Sequence, residues 1–196
     1  MISIKLKKTD SSLESYLNKN NAELLVLGVF LDGSTTFKGL KSSDLKEIKE
    51  RVALEKFKGS KQEKIFIYGK NNTKRILLYG LGDKTKATSD SLRSEGANIY
   101  NYANSRKIKS ISVFLESFKL NDKDCCQSVI EGVLIGSYFF DGYRDDNGKN
   151  NNTTSLILIT DGIKKADSKK SIDNAIALSE SVSLARDLGN QPANLC

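Results

Sequence analysis

The chain has 196 residues, of which 38% are hydrophobic and 28% are charged. This composition is typical of a soluble globular protein and excludes a disordered chain, which would be less apolar. The longest apolar runs, Leu24–Leu31 and Val133–Phe140, hold eight residues each, far fewer than the roughly 20 that are needed to cross a bilayer. The net charge of +7 comes mainly from scattered lysines, which favours a solvated surface and leaves a weak, salt-sensitive affinity for DNA as an alternative.

Strand-length apolar runs recur along the whole chain. The predicted strands are Ile2–Leu6, Leu24–Phe30, Lys64–Tyr68, Arg75–Tyr79, Ser110–Leu115 and Ser155–Thr160. Several of these runs are continuously apolar, which is typical of strands that are buried on both faces of a sheet. The third and fourth strands are separated by the turn-like residues "GKNNTK", which predicts an antiparallel hairpin. The first strand carries no apolar core of signal-peptide length, so we expect a cytoplasmic protein.

Helical patterns lie between these strands. The predicted helices are Asp44–Lys56, Ser89–Ser105, Asp122–Phe140 and Ser171–Leu188. Asp44 and Glu47 have the spacing of a capping box, and Gly189 is expected just after the last helix ends. Helices that alternate with buried strands predict an α/β fold, a three-layer sandwich whose mostly parallel mixed sheet carries helices on both faces.

The residues alone assign no catalytic, cofactor-binding or metal-binding side chain. The chain contains no histidine, which excludes Ser-His and Cys-His nucleophile pairs. Gly80 and Gly82 follow a strand and precede a helix, as in a phosphate-binding loop, but Thr85 stands where the dinucleotide fingerprint needs a third glycine. A simple glycine turn is therefore the favoured interpretation.

Three further features receive structural interpretations. Asp141, Asp145 and Asp146, followed by Asn147, lack the spacing of a calcium loop, so a solvated loop is expected. Gly132 and Gly136 lie one helical turn apart, which suggests that their helix approaches the sheet closely. The three cysteines are Cys125, Cys126 and Cys196. They have no CxxC spacing, and two of them are adjacent, so all three are expected to be free thiols.

Three stretches together resemble a known family. They are Leu77–Ala103 ("LLYGLGDKTKATSDSLRSEGANIYNYA"), Glu131–Arg144 ("EGVLIGSYFFDGYR") and Ser183–Cys196 ("SLARDLGNQPANLC"). In this order they are similar to the N-terminal domain of the cytosolic leucyl aminopeptidases, the M17 metallopeptidases. The last stretch is the most specific, because in that family it leads from the N-terminal domain into the catalytic domain.

The resemblance implies a macro-domain-like fold and a division of the chain. Residues 1–170 would form the N-terminal domain, and residues 171–196 would form a helix and turn leading to a C-terminal catalytic domain. That domain would bind two divalent metals, zinc or manganese, and would release N-terminal amino acids from peptides. Its signature run does not occur in these 196 residues, so we expect a chain that is part of a longer protein, that carries no metal or cofactor and that is inactive alone.

The resemblance also implies partners and leaves two alternatives open. The expected partners are the chain's own catalytic domain and further copies in a hexamer, with a role for this domain in assembly and in access to the active site. No membrane partner is expected. One alternative is a stand-alone macro-like module that binds a ligand of the ADP-ribose type, with the turn at Gly80 and Gly82 as the place for it. The other alternative is a DNA-binding accessory module.

Overall fold

The computed structural model describes residues 2–8, 23–31, 42–68, 75–120, 126–140, 153–160 and 165–191. Within these ranges the strands are β1 (Ser3–Lys8), β2 (Leu24–Phe30), β3 (Lys64–Tyr68), β4 (Arg75–Gly82), β5 (Ser110–Phe114) and β6 (Ser155–Thr160). The helices are α1 (Ser42–Leu54), α2 (Ser89–Ser105), α3 (Cys126–Gly136) and α4 (Lys165–Asn190), and a short 3₁₀ helix covers Leu115–Phe118.

The strands form one mixed sheet in the order β1-β6-β5-β2-β4-β3. Neighbouring strands are parallel except β3 and β4, which run antiparallel with Lys64 opposite Tyr79 and Tyr68 opposite Arg75. The predicted hairpin pairing is therefore confirmed, while its turn, residues 69–74, lies outside the described residues. All seven residues of β2 are buried, as expected for a continuously apolar strand in the interior of a covered sheet.

Helices cover both faces of this sheet. On one face, side chains of α2, α3 and α4 pack on the sheet in a large cluster that includes Leu77, Ile99 and Val133. On the other face, α1 packs through Ile48 onto a second cluster that includes Leu78. The predicted α/β sandwich, with a mostly parallel mixed sheet between two helical layers, is confirmed.

Helix α2 begins and ends as predicted. Thr88 has an extended backbone, and its side chain accepts a hydrogen bond from the backbone N–H of Ser91, while the Ser91 hydroxyl reaches back to the N–H of Thr88. This reciprocal cap satisfies backbone donors that the first helical turn leaves free. Helix α1 begins at Ser42, two residues before the predicted Asp44.

The predicted end of α3 and both predicted limits of α4 are wrong, while the predicted start of α3 at Asp122 lies outside the described residues. Helix α3 ends at Gly136, because Tyr138 leaves the helical path to meet α4, and the predicted helix had continued to Phe140. Helix α4 begins at Lys165 and runs through Gly189 to Asn190. The side of α4 that faces the fold carries small buried side chains spaced by four, and all of them lie within the predicted helix: Ser171, Ala175 and Ser179.

Helices α2 and α3 touch through glycine. A Cβ built on Gly132 would lie 1.9 Å from the carbonyl oxygen of Arg93, and one on Gly96 would lie 2.4 Å from the carbonyl oxygen of Val129. Gly136 lies against Ala97 in the same seam. The expectation that Gly132 and Gly136 let their helix approach the sheet closely is therefore wrong. The close contact that they allow is between α3 and α2.

The close contact between α2 and α3 predicts opposite effects on stability for two glycine-to-alanine substitutions, one inside the contact and one outside it. Gly132→Ala forces the two backbones apart and is expected to lower the free energy of unfolding by about 1–3 kcal/mol. Gly189→Ala is the matched control, because nothing lies within 4 Å of its added Cβ, and it is expected to raise stability by up to about 1 kcal/mol through helix propensity. Urea unfolding followed by circular dichroism measures both, and equal stability of the Gly132→Ala variant and the unsubstituted chain would contradict the contact.

Candidate functional site

Tyr138 lies just beyond α3 and holds the last turns of α4. Its hydroxyl donates a hydrogen bond of 2.8 Å to Asp187 Oδ1 and accepts one of 3.2 Å from Asn190 Nδ2. The guanidinium of Arg186 lies over the ring, 5.3 Å from its centroid, and donates to the carbonyl oxygen of Ile135 at 3.3 Å. We call the side chains of Tyr138, Arg186, Asp187 and Asn190 the Tyr138 clasp.

The clasp joins two of the stretches that carry the sequence resemblance. Tyr138 belongs to Glu131–Arg144, and the other three members belong to Ser183–Cys196. In the sequence these residues belong to two separate motifs, and no sequence pattern indicates that side chains of the two motifs contact each other. The structure shows that they fix the end of α4 relative to α3, so the path of the chain at residue 191 is set by direct side-chain contacts.

Beside the clasp, α4 presents apolar side chains to solvent. Leu184 and Leu188 lie one helical turn apart and are 61% and 57% exposed, and Phe139 next to Tyr138 is 47% exposed. Because the clasp holds this part of α4, these side chains form a fixed apolar surface. Grouped exposed apolar side chains of this kind are typical of surfaces that contact a protein, a membrane or a ligand.

An acidic groove runs along the same helix. It has a volume of about 1040 Å³ and lies between β1, the residues after α3, and α4. Asp173, Glu180 and Asp187 line it at intervals of seven residues, which places them on one side of the helix. None of its described lining residues is lysine or arginine, although the chain as a whole is basic. The buried hydroxyl of Ser179 also lines it and has no hydrogen-bond partner among the residues that the structure describes.

The glycine turn at the end of β4 is covered by the chain itself. The backbone N–H of Gly80 donates to the carbonyl of Glu63 at 2.8 Å, and that of Gly82 donates to the carbonyl of Gly59 at 2.9 Å. A Cβ on Gly80 would lie 2.0 Å from the carbonyl oxygen of Ser60. These glycines therefore let the preceding segment pack closely, and their N–H groups are not available to a phosphate.

A buried carboxylate lies next to this turn. The hydroxyl of the fully buried Tyr79 donates to Glu95 Oε2 at 2.6 Å, and Asn98 Nδ2 donates to the same oxygen at 3.1 Å. Lys61 Nζ lies 3.7 Å from Glu95 Oε1. Burial, reinforced by the hydrogen bond to Glu95 and its charge, raises the pKa of Tyr79 far above its usual value. The network ties the covering segment to α2.

The described part of the chain offers no ligand set for the two metals that the resemblance implies. Across those residues, no group of three or more Asp, Glu, Cys or His side chains converges on a point that could hold a metal ion. Asp141, Asp145, Asp146, Cys125, Cys196 and Pro192 lie outside the described residues. No helix among the described residues is long and apolar enough to span a membrane.

Comparison with solved structures defines the fold class. Over 100% of its length the chain superposes on 40% of a tomato leucine aminopeptidase variant, with a TM-score of 0.75 and 22% identity. Over 88% of its length it superposes on 83% of the macro domain of ganglioside induced differentiation associated protein 2, with a TM-score of 0.56 and 15% identity. The fold is that of a macro-like α/β domain, as the resemblance implied.

Sequence comparison defines the family. Residues 26–147 match the family model described as the cytosol aminopeptidase family, N-terminal domain. The chain is 28% identical over 184 residues to a probable cytosol aminopeptidase of Alkaliphilus oremlandii, covering 89% of this chain and 37% of that protein. It is 32% identical over 148 residues to one of Clostridium perfringens, covering 71% of this chain and 29% of that protein. The chain belongs to the cytosol aminopeptidase family, carries its N-terminal domain and spans about a third of the length of these relatives.

The clasp predicts a local effect of removing one hydroxyl. Tyr138→Phe keeps the ring under Arg186 but loses the hydrogen bonds to Asp187 and Asn190, so the last turn of α4 is expected to open more often. Amide hydrogen exchange across residues 184–190 should then be several-fold faster, with β2 unchanged. Tyr68→Phe is the matched control, because its side chain is 72% exposed, and equal exchange in the two variants would contradict the clasp.

The Tyr79–Glu95 pair predicts a dependence on alkaline pH. Tyr79→Phe removes a donor to a buried carboxylate, and the expected loss in the free energy of unfolding is about 1.5–3 kcal/mol near neutral pH. Above about pH 10 the unfolded chain releases the Tyr79 proton while the folded chain retains it, so the unsubstituted chain loses stability that the variant does not. The difference between the two should therefore narrow as the pH rises from 9 to 11 in urea titrations, and a constant difference would contradict the raised pKa.

Proposed function

We propose that this chain is the non-catalytic N-terminal domain of a metal-dependent aminopeptidase, and that its α4 surface packs against the catalytic part. The observation that carries this proposal is the family match over residues 26–147, in a chain that covers 37% of a probable cytosol aminopeptidase. In such a protein the release of N-terminal amino acids would belong to the other part of the chain. The described residues here contain no group of three or more Asp, Glu, Cys or His side chains that could hold its metals.

The metals of that other part are proposed to be two divalent ions, zinc or manganese. Support comes from a solved structure titled as the bottromycin maturation enzyme in complex with Mn. This chain superposes on 33% of that enzyme with a TM-score of 0.61. The proposal gives this chain no part in holding the ions.

The surface proposed to meet the catalytic part is formed by Leu184, Leu188 and Phe139, with the acidic groove beside it. These three side chains are about half exposed or more, and covering one leucine completely contributes about 1.5–3 kcal/mol. The clasp holds α4 in place beforehand, which lowers the entropic cost of forming an interface. The three groove carboxylates favour a partner surface that carries lysine or arginine near aliphatic side chains.

The wider role proposed for this domain is in assembly of a hexamer and in access of peptides to the active site. A cytoplasmic location is part of the same proposal and is supported by the word cytosol in the names of the matched relatives. The ADP-ribose alternative gains no support from the glycine turn, because the N–H groups of Gly80 and Gly82 already bond to the chain.

A binding experiment tests the α4 surface. The C-terminal part of the Alkaliphilus oremlandii relative, beyond its aligned region, is titrated with this chain and the affinity is measured by calorimetry. The double variant Leu184→Ser with Leu188→Ser is expected to bind at least about tenfold more weakly, because two leucines lose their apolar burial. The fold should be unaffected, since both side chains are exposed.

The matched control is Leu54→Ser, a change at a 71% exposed leucine on α1, on the opposite face of the sheet. Its affinity should equal that of the unsubstituted chain. Absence of binding by the unsubstituted chain, or equal weakening by the control, would overturn the proposed surface. Hydrolysis of leucine amide by this chain alone, with manganese or zinc added, would overturn the non-catalytic assignment.

A further inference from the structure

Cations and aromatic rings alternate across the exposed end of the sheet formed by β3 and β4. Lys64 Nζ lies 5.5 Å from the ring centroids of Tyr79 and Tyr102. The guanidinium of Arg106 lies 5.1 Å from the centroid of Tyr102 and 5.8 Å from that of Phe66. The Arg75 guanidinium lies 5.9 Å from the centroid of Phe66. We call the side chains of Lys64, Phe66, Tyr68, Arg75, Tyr102 and Arg106 the cationic–aromatic face.

The pairing of the two strands produces this face. Residues directly opposite each other in an antiparallel pair point to the same side, so Lys64, Phe66 and Tyr68 share a side with Arg75, which is opposite Tyr68. The end of α2 supplies the remaining ring and guanidinium. Strand β3 is at the edge of the sheet, so no other described strand pairs with its outer side.

The three cations of this face have no carboxylate partner among the described residues. Within the described residues, no acidic side chain lies within 4.0 Å of the charged groups of Lys64, Arg75 or Arg106. Like charges held close together without counter-charges repel one another, and a polyanion relieves this repulsion. The rings restrict where the cations can move, so less conformational entropy is lost when they bind.

The outermost ring of the face is available for stacking. Tyr68 is 72% exposed and meets Phe66 edge to face, with the ring centroids 5.5 Å apart. Tyr68 is opposite Arg75 in the strand pair, and no described cation lies over its ring. An exposed ring next to cations is the arrangement that binds unpaired bases and the phosphates between them. A base that is paired in a duplex cannot stack in this way.

We propose that the cationic–aromatic face binds single-stranded nucleic acid. The phosphates lie on Lys64, Arg75 and Arg106, and one base stacks on Tyr68. This binding is independent of the aminopeptidase assignment, because it uses no residue of the Tyr138 clasp, of the acidic groove or of the exposed leucines of α4.

Fluorescence anisotropy of a labelled oligothymidylate, titrated with the full chain at several salt concentrations, tests the proposal. Binding at low salt should weaken with a slope of log affinity against log salt of about −2, from about 0.7 for each of three phosphate contacts. Arg75→Gln with Arg106→Gln should reduce the slope by about 1.4. Tyr68→Ala should weaken binding at least about fivefold, while Tyr68→Phe, which keeps a ring, should retain it.

The matched charge control is Lys46→Gln with Lys49→Gln, two exposed lysines of α1 on the opposite face of the sheet. This control removes two positive charges, as Arg75→Gln with Arg106→Gln does, and should leave the slope of log affinity against log salt unchanged. Equal loss in this control, tighter binding of a duplex of the same length, or no binding at low salt would each overturn the proposal. Displacement of the oligonucleotide by polyglutamate at matched charge, with no effect of Tyr68→Ala, would overturn it in favour of an acidic protein partner.

Discussion

The backbone contact between α2 and α3 is the constraint on which the rest of this domain depends. Gly96 and Gly132 remove the side chains that would separate the two helices, and Arg93 Nε bonds to the buried Glu131 across the seam at 2.7 Å. Because α3 is held in one position along α2, its end delivers Tyr138 to α4. The direction of the last helix is thus set by a contact made far from it in the sequence.

Buried charge gives this arrangement its specificity. Glu131 is 1% exposed and Glu95 is 2% exposed, and each carboxylate takes hydrogen bonds from a neighbouring part of the fold, Arg93 for one and Tyr79 for the other. A buried ion pair adds little net stability over an apolar pair, but the loss of one partner is costly. A shifted packing of the helices would break these bonds, so the alternatives are disfavoured even where the apolar contacts could adjust.

The fold could be predicted from the sequence because its strands are continuously apolar and its helices carry regular apolar stripes. The start of α2 was predictable for a similar reason, since the Thr88 cap is a local interaction. The end of α3 was not predictable, because Tyr138 leaves the helix to contact α4, which is a tertiary interaction. The sequence also does not identify Leu184 and Leu188 as the exposed apolar residues of α4, because their exposure depends on how the helix packs.

The distribution of charge over the fold could not be predicted from the positions of the lysines in the sequence. Two of the three cations on the cationic–aromatic face are arginines, and they come from β4 and the end of α2, which the strand register and helix packing bring beside β3. The acidic groove lies at β1, at the other edge of the sheet. Five inter-strand spacings separate the two edges by roughly 24 Å, which exceeds the screening length of about 8 Å at physiological salt. The groove therefore does not neutralise the cationic face.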